Sequence, residues 1–144
     1  MDKVGGVSLP KASFMERVVV KPVLSRREKK QFLHYPWKQY RGDPLWIPPL
    51  RAYQKEQVGY ARNPFYDRNE VQTFLAFRRG EVCGRIAAIL NVGHNEQHNE
   101  NLGFWGFFES IDDREVSDAL FTAVRGWFAE RDIHHLRGPT NPSL

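Results

Sequence analysis

Residues 102–128 read LGFWGFFESIDDREVSDALFTAVRGWF, and this stretch joins two different patterns. Residues 102–109 carry aromatic side chains on both faces of an extended segment, which predicts a strand in the interior of a sheet. Asp112 or Asp113 is expected to cap the helix that follows. Its apolar residues recur at helical spacing over three turns: Val116, Ala119, Leu120, Ala123, Val124, Trp127 and Phe128. A central strand therefore leads into a helix that faces the core.

The segments on either side of this stretch predict further strands. Residues 71–77 and 82–92 are apolar runs separated by the turn sequence Arg78-Arg79-Gly80-Glu81, which is typical of a β-hairpin. Residues 93–101 contain no apolar side chain and are expected to form a polar loop. Residues 133–137 predict a last short strand, which Gly138-Pro139 ends.

The N-terminal part is less regular. Residues 17–23 are rich in valine and predict a strand, near a sheet edge because it contains a proline. Ser25 and Glu28 form a capping-box pattern that predicts a helix over 26–35. Three proline clusters in 35–66 predict irregular structure with one helical piece near 51–59. Residues 1–14 are expected to be a flexible tail, and residues 15–144 a single domain.

Composition limits the classes of protein to which the chain can belong. Its 144 residues, 41% of them hydrophobic, suffice for one domain with a core. No apolar run approaches the roughly 18 residues of a spanning helix, and no secretory signal pattern is present, so we expect no membrane partner and a cytoplasmic location. The single cysteine, Cys83, allows no internal disulfide. The formal net charge of +4 permits acidic partners, and most of the positive excess lies in residues 1–62.

Several motifs occur in a fixed order along the chain: Asp43–Leu50, Asn63–Phe65, Gly84–Ile89, Gly103–Glu109 and Arg137–Ser143. Together they resemble a family of bacterial GNAT-like proteins described as N-acetyltransferases. The resemblance covers residues 17–144. It implies an α+β (mixed α/β) fold, the GNAT-like acyl-CoA N-acyltransferase fold, with a mostly antiparallel central sheet flanked by helices. Family members are usually more than twice as long, so the chain resembles their N-terminal portion and the fold is expected to be incomplete at its C-terminus.

The resemblance also implies an activity and a cofactor. The family transfers an acyl group from acetyl-CoA or another acyl-CoA to an amine, here of a small molecule or a peptide. The cofactor lies between two splayed strands, which correspond to residues 102–109 and 133–137. By resemblance, Glu109 is the catalytic residue that removes a proton from the amine, directly or through water. The implied cofactor-binding residues are Phe107, Phe108, Ser110, Arg114, Val116 and Ser117.

The start of the predicted helix departs from the family pattern. GNAT enzymes carry Arg/Gln-x-x-Gly-x-Gly/Ala there, so that backbone N–H groups reach the phosphates. In this sequence the three defining positions hold Asp112, Glu115 and Ser117. Carboxylates at a helix start oppose an anionic ligand. The sequence leaves open whether CoA binds at this helix.

Two further groups of residues have alternative interpretations. His94 and His98 have a spacing that binds metal when it lies on a helix, with Glu96 or Glu100 as a third ligand. Because a loop is predicted there, a solvated loop is favoured and no metal site is expected. Arg85 lies in an apolar strand, so it either bonds a carboxylate or contacts a ligand. The aromatic residues of the proline-rich segment form either core or a pocket wall: Trp37, Trp46, Phe65 and Tyr66.

Two function classes follow besides catalysis. The first is a non-catalytic, truncated or degenerate acyltransferase-like module that acts in a homodimer or with a partner domain. The second is nucleic-acid binding through the basic N-terminal half, which is disfavoured because basic and aromatic residues do not alternate in a recognisable strand motif.

Overall fold

The computed structural model describes residues 16–142, so the tail expected over residues 1–14 lies outside the described residues. Helices flank a single five-stranded sheet. In chain order the elements are β1 (Val19–Pro22), α1 (Arg26–Gln39), α2 (Arg51–Gln57), a short 3-10 helix (Pro64–Asp67), β2 (Glu70–Arg78), β3 (Glu81–Leu90), α3 (Val92–His98), β4 (Leu102–Ser110), α4 (Arg114–Ala129) and β5 (His135–Arg137).

The strands follow one another across the sheet in chain order, from β1 to β5. All neighbours are antiparallel except β4 and β5, which are parallel because α4 connects them. The predicted hairpin is confirmed as β2 and β3, and the proline-containing strand β1 is at the sheet edge, as expected. The strand predicted to be interior, β4, lies between β3 and β5.

Each face of the sheet has its own hydrophobic core. One face packs against α4, whose stripe buries Leu120 and Phe128 completely. The other face packs against α1 and the segment after α2, with Phe32 and Val58 fully buried. Since both faces of β3 and β4 are covered, their near-continuous apolar sequence is explained.

Helix α1 is longer than predicted. It continues past Tyr35 to Gln39 and contains Pro36, which a helix interior usually rejects. Proline has no N–H to donate to the carbonyl four residues earlier, which belongs to Phe32. The buried Arg85 supplies the missing donor, since its Nη1 lies 2.8 Å from Phe32 O. Arg85 therefore bonds a backbone carbonyl, which neither interpretation of its charge had named.

The prediction of a loop over 93–101 is wrong for residues 93–98, because residues 92–98 form helix α3. Its polarity comes from asparagines that hold it in place. Asn91 caps the helix, and Asn69 Oδ1 accepts from Val92 N at 2.8 Å. Asn95 exchanges two hydrogen bonds with the backbone of Leu102, at 3.0 and 3.1 Å. Polar side chains here replace the apolar stripe by which helices are recognised in a sequence.

The ends of the two predicted helices agree in part with the sequence. Ser25 and Glu28 form the capping box of α1, and Asp113, not Asp112, caps α4. Arg131 lies just beyond the end of α4. Its Nη1 nevertheless donates to Trp127 O at 3.0 Å, so it still satisfies a carbonyl at the end of the helix.

Candidate functional site

Strand β4 is interrupted by a β-bulge. Ala87 pairs with Gly106 and Arg85 with Glu109, so Ile86 of β3 faces two residues of β4, Phe107 and Phe108. Phe107 adopts a left-handed backbone, with φ of 52°. A non-glycine residue in this region is uncommon and marks a constrained site. The backbone N–H of Phe107 faces away from β3, toward the segment that follows β5.

The segment that follows β5 covers this N–H. Thr140 N donates to Trp105 O at 2.9 Å, and Phe107 N donates to the side-chain oxygen of Asn141 at 3.0 Å. Gly106 lies beneath this contact, and a Cβ there would collide with Thr140 O and Asn141 Oδ1. The absence of a side chain at residue 106 is therefore what allows the segment to approach β4.

A cavity of about 240 Å³ adjoins this contact, and we name it the Asn141 pocket. Apolar side chains form part of its wall, and polar groups of α3 and of the C-terminal segment form the rest. Its lining consists of Phe65, Ile89, Asn91, His94, Phe104, Thr140, Asn141 and Pro142. Of the four aromatic residues predicted to be core or pocket wall, Phe65 lines this pocket, whereas Trp37 and Trp46 pack on each other with ring centroids 5.4 Å apart.

A second cavity, of about 450 Å³, lies where β4 ends and α4 begins, and we name it the α4 pocket. It brings together four residues that the resemblance assigns to the cofactor, namely Phe108, Ser110, Arg114 and Ser117. The side chains of the other two, Val116 and Phe107, do not reach this pocket. Val116 is fully buried on the core-facing side of α4, and Phe107 is buried on the opposite face of the sheet.

The charge of the α4 pocket is set by carboxylates. Asp112 and Asp113 line it, and Asp113 Oδ1 accepts from Glu115 N as the helix cap. Arg78 Nη1 lies 2.7 Å from Asp113 Oδ2, and this guanidinium, with the backbone N–H of Glu115, holds the pKa of Asp113 below its usual value. The helix start is thus satisfied by its own side chains.

Glu109, the predicted catalytic residue, lies on the face of the sheet that carries α1. Its carboxylate accepts a short hydrogen bond from the hydroxyl of Tyr40. This bond, together with burial, raises the pKa of Tyr40 to about 12. Near the same end of β4, Gln39 Nε2 donates to Ser110 O at 3.1 Å. The C-terminal end of α1 therefore holds the end of β4.

The largest of these cavities, about 730 Å³, adjoins the α4 pocket through Gln39, Ile111 and Asp112. Its cations are already paired: Lys38 with Glu81, Arg78 with Asp113 and Arg79 with Glu16. Cys83 lies in its wall, and burial raises the pKa of its thiol, which keeps it protonated. This cavity offers neither a free cation for an anion nor an activated nucleophile.

Sequence reasoning missed two contributors to the Asn141 pocket. His94 had been considered as a metal ligand and, in the favoured interpretation, as part of a solvated loop. No group of three or more His, Cys, Asp or Glu side chains within residues 16–142 could hold a metal ion. Asn141 belongs to the motif Arg137–Ser143, but the motif does not show which backbone group its side chain contacts. Within the same described residues, none of the helices has the length and apolarity needed to cross a membrane.

The residues around β4 suit the thioester end of acyl-CoA, whereas those at the start of α4 oppose its phosphates. A carbonyl oxygen fits the bulge, because the amide oxygen of Asn141 already accepts from Phe107 N–H. Phosphates do not fit the start of α4, where Asp113 is the cap and Asp112 and Glu115 add two negative charges. The acidic start of α4 therefore opposes phosphates, in contrast to the glycine-rich helix start that the resemblance implies.

No protein-family profile matches the chain, but two curated proteins do. Protein YghO of Escherichia coli (strain K12) is 33% identical over 121 residues, which are 84% of this chain and 31% of YghO. A bacterial ceramide synthase of Caulobacter vibrioides is 36% identical over 124 residues, which are 85% of this chain and 32% of the synthase. The chain thus spans about a third of the length of these curated relatives.

Solved structures identify the fold. A tandem GNAT protein from the clavulanic acid biosynthesis pathway superposes with a TM-score of 0.59 at 15% identity, covering 81% of this chain and 34% of that protein. An aminoglycoside acetyltransferase from an uncultured soil metagenomic sample, in complex with sisomicin, gives 0.56 at 11% identity, covering 85% of this chain and 77% of the enzyme. The predicted GNAT-like fold, with its mostly antiparallel sheet flanked by helices, is confirmed.

Proposed function

We propose that this GNAT-like domain takes part in the transfer of an acyl group from an acyl thioester to an amine. The observation that carries the proposal is the N–H of Phe107, which lies at the bulge, faces away from β3 and bonds a carbonyl oxygen, Asn141 Oδ1, at 3.0 Å. A fixed backbone donor of this kind stabilises the negative charge that develops on a thioester carbonyl under attack. Asn141 is exposed, so a ligand carbonyl can replace its side chain.

The names of similar proteins support the same chemistry. Ceramide is an amide of a long-chain amino alcohol, so a ceramide synthase forms a bond between an acyl group and an amine. An aminoglycoside acetyltransferase likewise transfers an acetyl group to an amine-bearing molecule. We propose an amine acceptor for this chain, and the name of the ceramide synthase favours an amine that carries an apolar portion.

The proposed cofactor is acyl-CoA, which supplies the activated acyl group as a thioester. Phe107 N–H would hold its carbonyl oxygen. Phe108, Ser110, Arg114 and Ser117 are the residues of the α4 pocket proposed to lie along the rest of it, against the opposing carboxylates. Glu109 remains the residue that the resemblance proposes as proton acceptor, with Tyr40 bonded to its carboxylate.

Titration of the chain with acetyl-CoA tests this proposal, with CoA as the matched control. The amide signal of Phe107 in nuclear magnetic resonance spectra is expected to shift with acetyl-CoA and to stay in place with CoA, which has no thioester carbonyl. Calorimetry measures the binding in parallel. No binding at millimolar acetyl-CoA, or equal shifts of Phe107 with both ligands, contradicts the proposal.

A second candidate function is a non-catalytic acyltransferase-like module that acts in a homodimer or with a partner domain. It is favoured by the self-capped, acidic start of α4 and by the segment 140–142 that covers β4. Light scattering after size-exclusion chromatography tests the dimer. A stable dimer without acetyl-CoA binding would support this candidate, whereas a monomer that binds acetyl-CoA would contradict it.

A further inference from the structure

We infer that the Asn141 pocket binds the acceptor as a primary ammonium ion, and that His94, oriented by Glu100, takes a proton from it. His94 does so in place of Glu109, whose carboxylate is bonded to Tyr40 and does not line this pocket. This inference rests on the proposed function, because Asn141 also covers the N–H of Phe107. His94 and Asn141 line the same cavity of about 240 Å³. An amine bound there lies close to a carbonyl held at the bulge.

The position of His94 is fixed by its helix. Its backbone N donates at 3.0 Å to the side chain of Asn91, the helix cap. The side chain of the next residue, Asn95, forms two hydrogen bonds with the backbone of Leu102. The imidazole packs edge-to-face against Phe104 of β4, with ring centroids 5.0 Å apart. Only 23% of the His94 side chain is exposed. An imidazole that packs on Phe104 and is mostly buried is oriented before any ligand binds.

Glu100 determines which ring nitrogen of His94 can accept a proton. The Nε2 atom lies 2.8 Å from Glu100 Oε2, and a carboxylate at neutral pH can only accept a hydrogen bond. The neutral ring therefore carries its hydrogen on Nε2 and its lone pair on Nδ1. The hydrogen bond from His94 also holds the pKa of Glu100 below its usual value, which keeps the partner ionised.

The lining of the pocket fits an amine with a short apolar portion. Phe65, Ile89 and Phe104 are apolar, and Thr140 and Asn141 add oxygen-bearing side chains to the same lining. At about 30 Å³ per water molecule, the volume corresponds to roughly eight waters, enough for an ammonium group and a few carbons.

The proposed step is a single proton transfer. One N–H bond of the ammonium breaks, its electron pair stays on the nitrogen, and the proton binds Nδ1 of His94. The amine gains the lone pair that it needs as a nucleophile, and the imidazolium is stabilised by the carboxylate of Glu100. The step requires no other reactant.

Three charged or titratable groups surround this ring. Glu100 bonds it directly, His98 lies on the same helix with its ring centroid 4.4 Å away, and Arg137 of β5 reaches Glu100 Oε1 at 3.8 Å. Glu100 favours a cation at His94, whereas His98 and Arg137 oppose it when charged.

Titration of the full chain with n-butylamine, followed through the imidazole nitrogen signals, tests the inference. We expect a saturable shift of the His94 ring nitrogens with n-butylamine and no shift with n-butanol. The variant His94→Gln should bind n-butylamine about tenfold more weakly, as expected for one lost charge-assisted hydrogen bond, while His98→Gln should bind it unchanged.

A second variant keeps the His94 imidazole and removes the Glu100 carboxylate that orients it. Glu100→Gln should allow the other tautomer and weaken the binding of n-butylamine, because Nδ1 of His94 is then no longer held as the acceptor. Equal affinity of the unmodified chain, His94→Gln and Glu100→Gln overturns the inference, as does a response of His98 without one of His94. Failure of acetyl-CoA to bind, with n-butylamine still bound at His94, would instead remove the proposed function and leave an amine site.

Discussion

The two pockets beside β4 differ in what their backbone donors contact. Beside the Asn141 pocket, the N–H of Phe107 bonds the neutral side-chain amide of Asn141, an exposed residue from another segment. In the α4 pocket, the N–H groups of the first helical turn are served by Asp113, an ionised residue of the same turn, which Arg78 holds in place. A neutral partner from a separate segment is easier to exchange for a ligand than an ionised one from the same helix. The comparison favours ligand binding at the bulge.

The largest effect on stability is expected for Gly106→Ala. This variant tests whether the close approach of residues 140–141 to β4 creates the Asn141 pocket. The new methyl group would collide with Thr140 O and Asn141 Oδ1, so we expect a loss of about 3 kcal/mol in the free energy of unfolding, the upper end of the range for overpacking. Urea denaturation measures it. The control Gly126→Ala, with nothing within 4 Å of the new Cβ, should instead stabilise α4 by about 1 kcal/mol. Equal effects of the two variants would contradict the comparison.

Asn141→Ala comes next, because it removes the acceptor but adds no atoms. The unpaired N–H of Phe107 should lower the free energy of unfolding by about 1–2 kcal/mol, less if water replaces the amide. Amide hydrogen exchange at Phe107 should accelerate. Asn101→Ala, which removes an exposed hydrogen bond to Asp132 O, is the matched control. Unchanged exchange at Phe107 would show that Asn141 is not its partner in solution.

A change of charge should turn the α4 pocket into an anion site. The triple variant Asp112→Asn, Asp113→Asn, Glu115→Gln keeps an asparagine cap but removes three negative charges from the helix start. We expect inorganic pyrophosphate to bind on the order of tenfold more tightly, since each such charge opposes an anion. Calorimetry at low salt measures this.

The control for this variant removes three carboxylates at exposed positions elsewhere, with Glu96→Gln, Glu130→Gln and Asp132→Asn. It makes the same change in net charge, so its affinity for pyrophosphate should remain near that of the unmodified chain. An equal gain in both variants would mean that net charge, and not the helix start, limits anion binding.

The smallest expected effect is a pH dependence of stability from Asp113. Its pKa is lowered in the folded chain, so its contribution is complete above the ordinary aspartate pKa and is lost as the pH falls through the lowered value. Asp113→Asn should therefore be less stable than the unmodified chain at neutral pH and equally stable in strong acid. Thermal unfolding from pH 7 to pH 2 measures the difference. A constant difference across this range would assign the effect to capping alone.

The strands and the longest helix were predictable because their signals are local. The apolar stripe of α4 and the hairpin of β2 and β3 each lie within one short window of sequence. Two helices were not predictable in full. Helix α1 passes Pro36 because Arg85 donates to the freed carbonyl of Phe32, 53 residues away in sequence. Helix α3 is polar because asparagines, and not apolar packing, hold it.

The sites were predictable only as residue types. The carboxylates at the start of α4 are visible in the sequence, and the structure shows which of them is the cap and that Arg78 pairs with it. His94 could be noticed through its spacing to His98, but its pairing with Glu100 depends on α3 being a helix. Nothing in the motif Arg137–Ser143 indicates that Asn141 reaches the bulge.

The sequence by itself determined the order of the five strands and of helices α1 and α4, the interior position of β4, the cap choices at α1 and the acidity of the start of α4. Each of these depends on side-chain chemistry within one or two turns of the chain. Tertiary structure alone decided that Phe107 would adopt a left-handed bulge and that its N–H would meet Asn141, 34 residues later. Contacts between distant segments depend on how the sheet and its connections are packed, and no local pattern encodes that arrangement.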